Sequence, residues 1–203
     1  FLLLVKTYYE VPLSQAFFKR GELSSLRDSA AFSAKVGEII GPLVDTDGYH
    51  LLKVLEERKG TDEIIQASHI LLYVSSGKDS TEVWNQARQL TQRAKKGEDF
   101  ARLAREFSRD GSAMRGGDLG WFGKGRMVKP FEEAAFKAKV GEVVGPVRSQ
   151  FGLHVIKLTG RSNREVKIAD LTMRVKASSQ TKTQIRDRAN DFSYLASQAD
   201  FDE

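Results

Sequence analysis

An α+β fold, with one antiparallel sheet backed by helices, is what this sequence predicts. Three observations carry that expectation. A unit of 38 residues occurs twice: a shift of 104 residues lays Phe17–Val54 on Trp121–Leu158 without a gap, with 15 identities. Between the copies lies a segment found once, in which strand-like and helix-like periodicities follow each other. The length, 203 residues, allows one or two domains at about 100–200 residues each. Such a chain can bury a core without disulfide or metal staples.

The elements follow in order. Phe1–Val11 reads as a strand of something begun upstream. Each copy then holds a short helix ending at Ala-Ala-Phe (Ala30–Phe32 and Ala134–Phe136), facing a core. Val-Gly-Glu (Val36–Glu38 and Val140–Glu142) makes a turn in which glycine supplies backbone freedom. Gly-Pro (Gly41-Pro42 and Gly145-Pro146) enters a strand, where proline is tolerated at the first position or at an edge. Gly48 and Gly152 mark hairpins into aliphatic second strands, Leu51–Leu55 and Val155–Leu158.

The segment found once begins with a strand, Ile64–Val74, and a Ser75-Ser76-Gly77 loop. A helix follows over Thr81–Lys96, where Val83, Ala87, Leu90 and Ala94 recur at helical spacing. Gly97 stops it, and Phe100, Leu103, Ala104 and Phe107 mark a second helix. Ser108–Gly125 is glycine-rich and reads as a long loop. After Arg161 a new unit starts, with a strand over Val166–Val175 and a helix over Thr181–Gln198. That helix carries Ile185, Ala189, Phe192 and Ala196 on one face.

Composition removes whole classes of chemistry. The chain has no cysteine, which excludes disulfide frameworks, thiolate metal sites and cysteine nucleophiles. Three histidines argue against a histidine-rich metal site, and neither a metal nor a cofactor is expected. The net charge of +5 is spread among interleaved acids and bases, as in Arg102–Glu106, so a nucleic-acid partner is not expected. The longest wholly apolar run is Phe1–Val5, against about 20 residues for a membrane span. Because the chain starts at Phe1 without methionine, it reads as a fragment whose targeting region lies elsewhere.

Five short motifs stand in register: Ser68-His69-Ile70-Leu71; Phe107-Ser108-Arg109-Asp110; Gly116–Phe122; Met127–Phe131; and Ser149–His154. In this order and spacing, from about Gln66 to Arg161, they resemble the parvulin family of peptidyl-prolyl cis/trans isomerases. The wider layout looks most like bacterial envelope folding factors of the PpiD/SurA type. The resemblance implies a four-stranded antiparallel sheet surrounded by helices. It implies paired histidines, His69 and His154, on adjacent central strands. Asp110 matches a position held by Cys or Asp in the family, and Ser149 a small hydroxyl position. Leu119, Met127 and Phe131 match the apolar pocket for the substrate proline ring. Phe151 fits a family variant with an aromatic there.

These residue types suit the reaction. Rotation about an X–Pro bond breaks amide resonance but makes and breaks no covalent bond, so neither nucleophile nor metal is required. A greasy seat for the ring and a dry site favouring the twisted amide suffice. Taken alone, each residue has a plainer reading. A histidine in an apolar strand is ordinarily a satisfied core group, and His50 is read that way. Met127 and Phe131, at i and i+4, are by default packing residues, and Asp110 before Gly111 a turn aspartate. The first copy is the internal control: Leu23, Arg27 and Asp47 stand where the second has Met127, Phe131 and Phe151. The framework is kept and the pocket is lost.

The expected organisation is a degenerate half-repeat over 1–61, an isomerase domain over 62–162, and the start of a strand–helix unit over 163–203. The first copy is expected to be completed by chain upstream of Phe1. The expected function is X–Pro isomerisation in unfolded or newly translocated envelope proteins. The alternative is an inactive chaperone or scaffold of the same fold that holds unfolded chains, with proline incidental. The resemblance also implies a periplasmic location, with an inner-membrane anchor N-terminal to this chain.

Overall fold

The computed structural model of the chain describes residues 1, 14–74, 79–174 and 178–198. The strand expected over Phe1–Val11 and the Ser75–Gly77 loop therefore lie, Phe1 apart, outside the described residues. In order, the elements are β1 (Phe18–Lys19), α1 (Ser25–Ser33), β2 (Ile39–Asp45), β3 (Gly48–Leu72), α2 (Asp79–Lys95), α3 (Phe100–Phe107), a 3₁₀ turn (Ala113–Arg115), β4 (Asp118–Gly123), α4 (Lys129–Lys137), β5 (Val143–Ser149), β6 (Gly152–Met173) and α5 (Ser179–Gln198).

The frame is a pair of long antiparallel strands. β3 pairs with β6 from Tyr49↔Met173 to Leu72↔Leu153. β2 and β4 lie along the outer edge of β3, and β5 and β1 along that of β6. The result is one six-stranded antiparallel sheet rather than an isolated four-stranded one. β3 and β6 run unbroken through positions 61/62 and 162/163. The strand position that the first copy lacks in its own sequence is filled by the C-terminal half of β6, through pairs such as Leu51↔Leu171. It comes from downstream of the second copy, not from upstream of Phe1.

The pairing maps onto itself when β3 and β6 are exchanged. Leu51↔Leu171 in the first copy corresponds to Val155↔Ile70 in the second, and Leu52↔Asp170 to Ile156↔His69. Gly48 and Gly152 repeat the same close approach at the hairpins. A side chain at Gly152 would lie 2.2 Å from the Leu72 carbonyl, and one at Gly48 2.4 Å from that of Met173. Two arginines near the crossover cap equivalent helices. Arg161 donates to the carbonyls of Phe136 and Ala138, and Arg164 to those of Phe32 and Ala34.

Packing follows the same logic. α4 covers one face of the second copy with Ile65, Ala67, Phe122, Phe131, Ala135, Ile156 and Leu158. α1 does so in the first, with Ala31, Phe32, Leu52, Val54, Val166 and Ile168. The other face of the second copy is closed by α2 and α3 through Ile70, Leu72, Ala87, Leu90, Leu103, Leu153 and Val155. Covered on both sides, β3 near Ile70 reads as a continuous buried run. From Gly48 to Leu55 burial alternates residue by residue, the mark of a strand covered on one side.

The stretch Ser108–Gly125, expected to be a loop, instead contains the 3₁₀ turn and β4. β4 pairs with the free edge of β3 at Ile64↔Gly123, Gln66↔Trp121 and Ser68↔Asp118. Its glycines lower intrinsic strand propensity, but an unpaired edge overrides that preference and a short edge strand tolerates them.

Candidate active site

Strand alternation decides where the two histidines meet. His69 on β3 pairs with Ile156, and His154 on β6 with Leu71, so the histidines sit diagonally on neighbouring central strands. Their Nδ1 atoms are 3.3 Å apart, and their rings stack at 5.5 Å between centroids. Both side chains are buried.

Asp110 reaches the pair from the loop after α3. The loop is tied to β3 by Arg109 N–H donating to the Leu71 carbonyl (2.8 Å) and Leu71 N–H donating to Ser108 Oγ (3.0 Å). His69 N–H also donates to the Gly117 carbonyl (2.9 Å). Gly117 has φ +80°, and a Cβ there would stand 2.2 Å from the His69 carbonyl oxygen, so only glycine fits this crossing. Asp110 Oδ1 then lies 3.0 Å from His69 Nε2, out of line for a hydrogen bond, which leaves that buried nitrogen without an aligned partner. Partial burial works against ionisation of Asp110. Hydrogen bonds from the Ser112 hydroxyl and amide, with the His69 ring close by, outweigh it and hold the carboxyl well below the usual range.

Ser149 closes the other end. Its Oγ is 2.7 Å from His154 Nε2 and accepts from Phe151 N–H at 3.1 Å. The Ser149 hydroxyl can donate to His154 Nε2, which leaves His154 Nδ1–H facing His69 Nδ1. Burial, reinforced by neighbouring His69 and opposed by Asp110, pushes His154 down to about 4, so it is neutral at neutral pH. The result is a polar chain across the sheet, Asp110–His69–His154–Ser149.

Phe131 lies against both imidazoles edge-on, at 5.7 Å from His69 and 5.4 Å from His154. It is only 2% exposed, so it forms a wall rather than an open surface. Leu119 and Met127, half-buried, pack against the same cluster. Seven of the eight expected residues thus converge. Phe151 touches the site through its backbone, while its ring is 54% exposed on the β5–β6 turn. Sequence reasoning missed the positioning parts: Ser108, Ser112 and Gly117. The Ser-x-Asp-x-Ser spacing around Asp110 was the available signal, since serine and aspartate at such intervals stabilise turns.

The first copy shows what replaces this arrangement. By register, His50 takes the place of His154, Asp170 that of His69, Asp45 that of Ser149 and Arg27 that of Phe131. His50 Nδ1 contacts Asp170 at 3.0 Å, and its Nε2 contacts Asp47 at 2.9 Å. Arg27 bridges Asp45 (3.2 Å) and Asp170 (3.3 Å). Hydrogen bonds hold two of the carboxyls below their ordinary range, from Ser24 foremost for Asp45 and from His50 foremost for Asp47. An ion-paired plug thus fills the space where the second copy has an aromatic wall. Asp45, Asp47 and His50 also bring donor atoms within 4.8 Å of one another. Arg27 already supplies the positive charge there. A cleft runs between the copies, past Lys19, Asp62, Trp121 and Lys124, and none of the eight expected residues lines it. No described helix is long and apolar enough to cross a membrane.

A family model described as "PPIC-type PPIASE domain" matches residues 49–162. The Foldase protein PrsA of Geobacillus kaustophilus is 51% identical over 102 residues, covering 50% of this chain and 33% of that protein. The Chaperone SurA of Chromohalobacter salexigens is 38% identical over 157 residues, covering 73% of this chain and 36% of that protein. The chain thus spans about a third of the length of these curated relatives. Among solved structures, the parvulin of Nitrosopumilus maritimus is 46% identical, covers 50% of this chain and 100% of that one, and has a TM-score of 0.42.

Proposed function

The chain belongs to the PPIC-type peptidyl-prolyl isomerase family, and on that premise we propose that its second copy accelerates cis/trans rotation of X–Pro bonds. The observation that carries this reading is the polar chain Asp110–His69–His154–Ser149 set against Phe131, with Leu119 and Met127 beside it.

The barrier to be lowered is about 18–20 kcal/mol and arises from amide resonance. The planar amide carries resonance-derived negative charge on its carbonyl oxygen, and the twisted one loses much of it. In our reading Leu119, Met127 and Phe131 hold the proline ring, and the X residue's carbonyl turns over the polar chain. Asp110, kept ionised, disfavours the charge-separated planar form, and each 1.4 kcal/mol or so of differential stabilisation is worth about tenfold in rate. The histidine pair and Ser149 fix the shape of that surface and exclude water. The test is an NMR-exchange or protease-coupled assay on X–Pro peptides. Wild type should accelerate exchange, and Asp110→Asn should lower kcat/KM about tenfold or more. No acceleration by wild type, or none lost on combining His69→Ala with Phe131→Ala, sinks the proposal.

The relatives bear the names foldase and chaperone, which supports unfolded, proline-containing polypeptides as substrates. The same names and the two-copy layout support an extracytoplasmic setting. More narrowly, we place the protein in the periplasm, tethered to the inner membrane by a segment N-terminal to this chain. Fractionation and protease accessibility of the full-length protein test that placement. The ion-paired plug in the first copy favours a second role, holding chains without catalysis. Peptide affinity indifferent to proline, with no turnover, selects that role over the first.

A further inference from the structure

One sheet face in the first copy is apolar and, among the described residues, largely exposed at its rim. In the second copy Val143, Leu153, Val155, Ile70 and Leu72 belong to the core closed by α2 and α3. The register places Ile39, Tyr49, Leu51, Leu171 and Met173 at the equivalent positions, and every one is apolar. Ile39 is 52% exposed, Tyr49 46% and Met173 57%, with Val44 beside them also exposed, while Leu51 at the centre is half-buried and Leu171 buried. A face of this composition, in the same position as a helix-covered face 104 residues away, is built to be covered.

The helix that follows carries the matching stripe. α2 packs with Val83, Ala87, Leu90 and Ala94. The α5 sequence has Ile185, Ala189, Phe192 and Ala196, at identical intervals of four, three and four residues. The chain order also repeats. α2 follows the Leu72 end of β3 after six residues (73–78), and α5 follows the Met173 end of β6 after five (174–178). In the structure residues 178–191 are exposed, Ile185 and Ala189 among them, so this part of the stripe does not yet meet the face.

We propose that α5 docks on the face formed by Ile39, Tyr49, Leu51, Leu171 and Met173, as α2 docks on the second copy. The two ends of the chain then close a second folded unit around the continuous strands β3 and β6. That unit keeps the architecture of the first, and its Arg27–Asp45–Asp170 plug takes the place of a proline pocket. It is a rigid, non-catalytic body fused to the active one through the shared sheet. This assignment is independent of isomerase activity.

The absence of cysteine permits a direct test. Leu51→Cys with Ala189→Cys in the full chain is treated with a short bismaleimide. Leu51→Cys with Asp187→Cys, about 200° around the helix from Ile185 and Ala189, is the control. Docking predicts an intramolecular product forming about tenfold or more faster in the first pair, because the docked helix raises the effective concentration. Equal rates in both pairs overturn the proposal. A cross-linked dimer instead of a monomer also overturns it, in favour of α5 from a second copy. Hydrogen exchange on the unsubstituted chain gives an independent reading. α5 amides protected like those of α2 support docking, and α5 amides exchanging as in a free helix refute it.

Discussion

Acid should unfold this protein through His154 before it does so through most carboxylates. His154 is 3% exposed and makes its two ring contacts to Ser149 and His69 as a neutral imidazole. Burial, then the neighbouring His69, brings it from an ordinary 6.5 down to about 4, with Asp110 pulling the other way. Between those limits the unfolded chain binds a proton that the folded chain refuses. Stability is therefore full above about pH 6.5 and falls as pH drops toward 4; below that both states are protonated and the loss is complete. At about 1.4 kcal/mol per tenfold in proton affinity, the loss is about 3 kcal/mol. The perturbation is His154→Gln, which retains an acceptor for the Ser149 hydroxyl. The assay is urea unfolding from pH 7 to 4, followed by fluorescence of Trp84 and Trp121. Wild type should lose about 3 kcal/mol more than the variant over that range. Parallel pH profiles for the two proteins would refute the reasoning, because the buried imidazole would then not be the group that titrates.

Two further outcomes follow from the geometry. Gly117→Ala places a methyl 2.2 Å from the His69 carbonyl at φ +80°, and should cost about 2 kcal/mol or more in urea unfolding, with isomerase activity falling as the Asp110 loop is displaced. Arg27→Met leaves Asp45 and Asp170 facing each other beside His50, and should lower stability by about 1–3 kcal/mol while X–Pro catalysis by the second copy is unchanged, as unfolding and exchange assays on one preparation would register.

The candidate site was largely legible in the sequence, because its parts are bound to short, rigid motifs. His69 and His154 sit in aliphatic runs that read as strands and fall in the motifs of the family, and Met127 and Phe131 on a helix whose Ala-Ala-Phe end repeats. What escaped was the means of positioning Asp110. Ser108, Ser112 and Gly117 act through backbone contacts to β3, and no periodicity records which carbonyl a loop will meet. β4 escaped for the same reason: Asp118–Gly123 is a strand only because the edge of β3 beside it is free. Phe151 reads as a pocket residue from its motif, yet a turn position leaves its ring largely in solvent.

The sequence by itself determined that one supersecondary unit occurs twice, that the second copy carries the pocket residues, and that the first replaces Phe131 with Arg27. All of these are local patterns that survive in one dimension. Tertiary structure alone decided which strand completes the first copy. Val166–Met173 lies more than a hundred residues from Tyr49–Glu57 and pairs with it because both extend strands already paired in the second copy. Strand pairing is a contact between distant segments whose register is set by the ladder itself. For that reason Asp170 stands beside His50 only once the sheet is built.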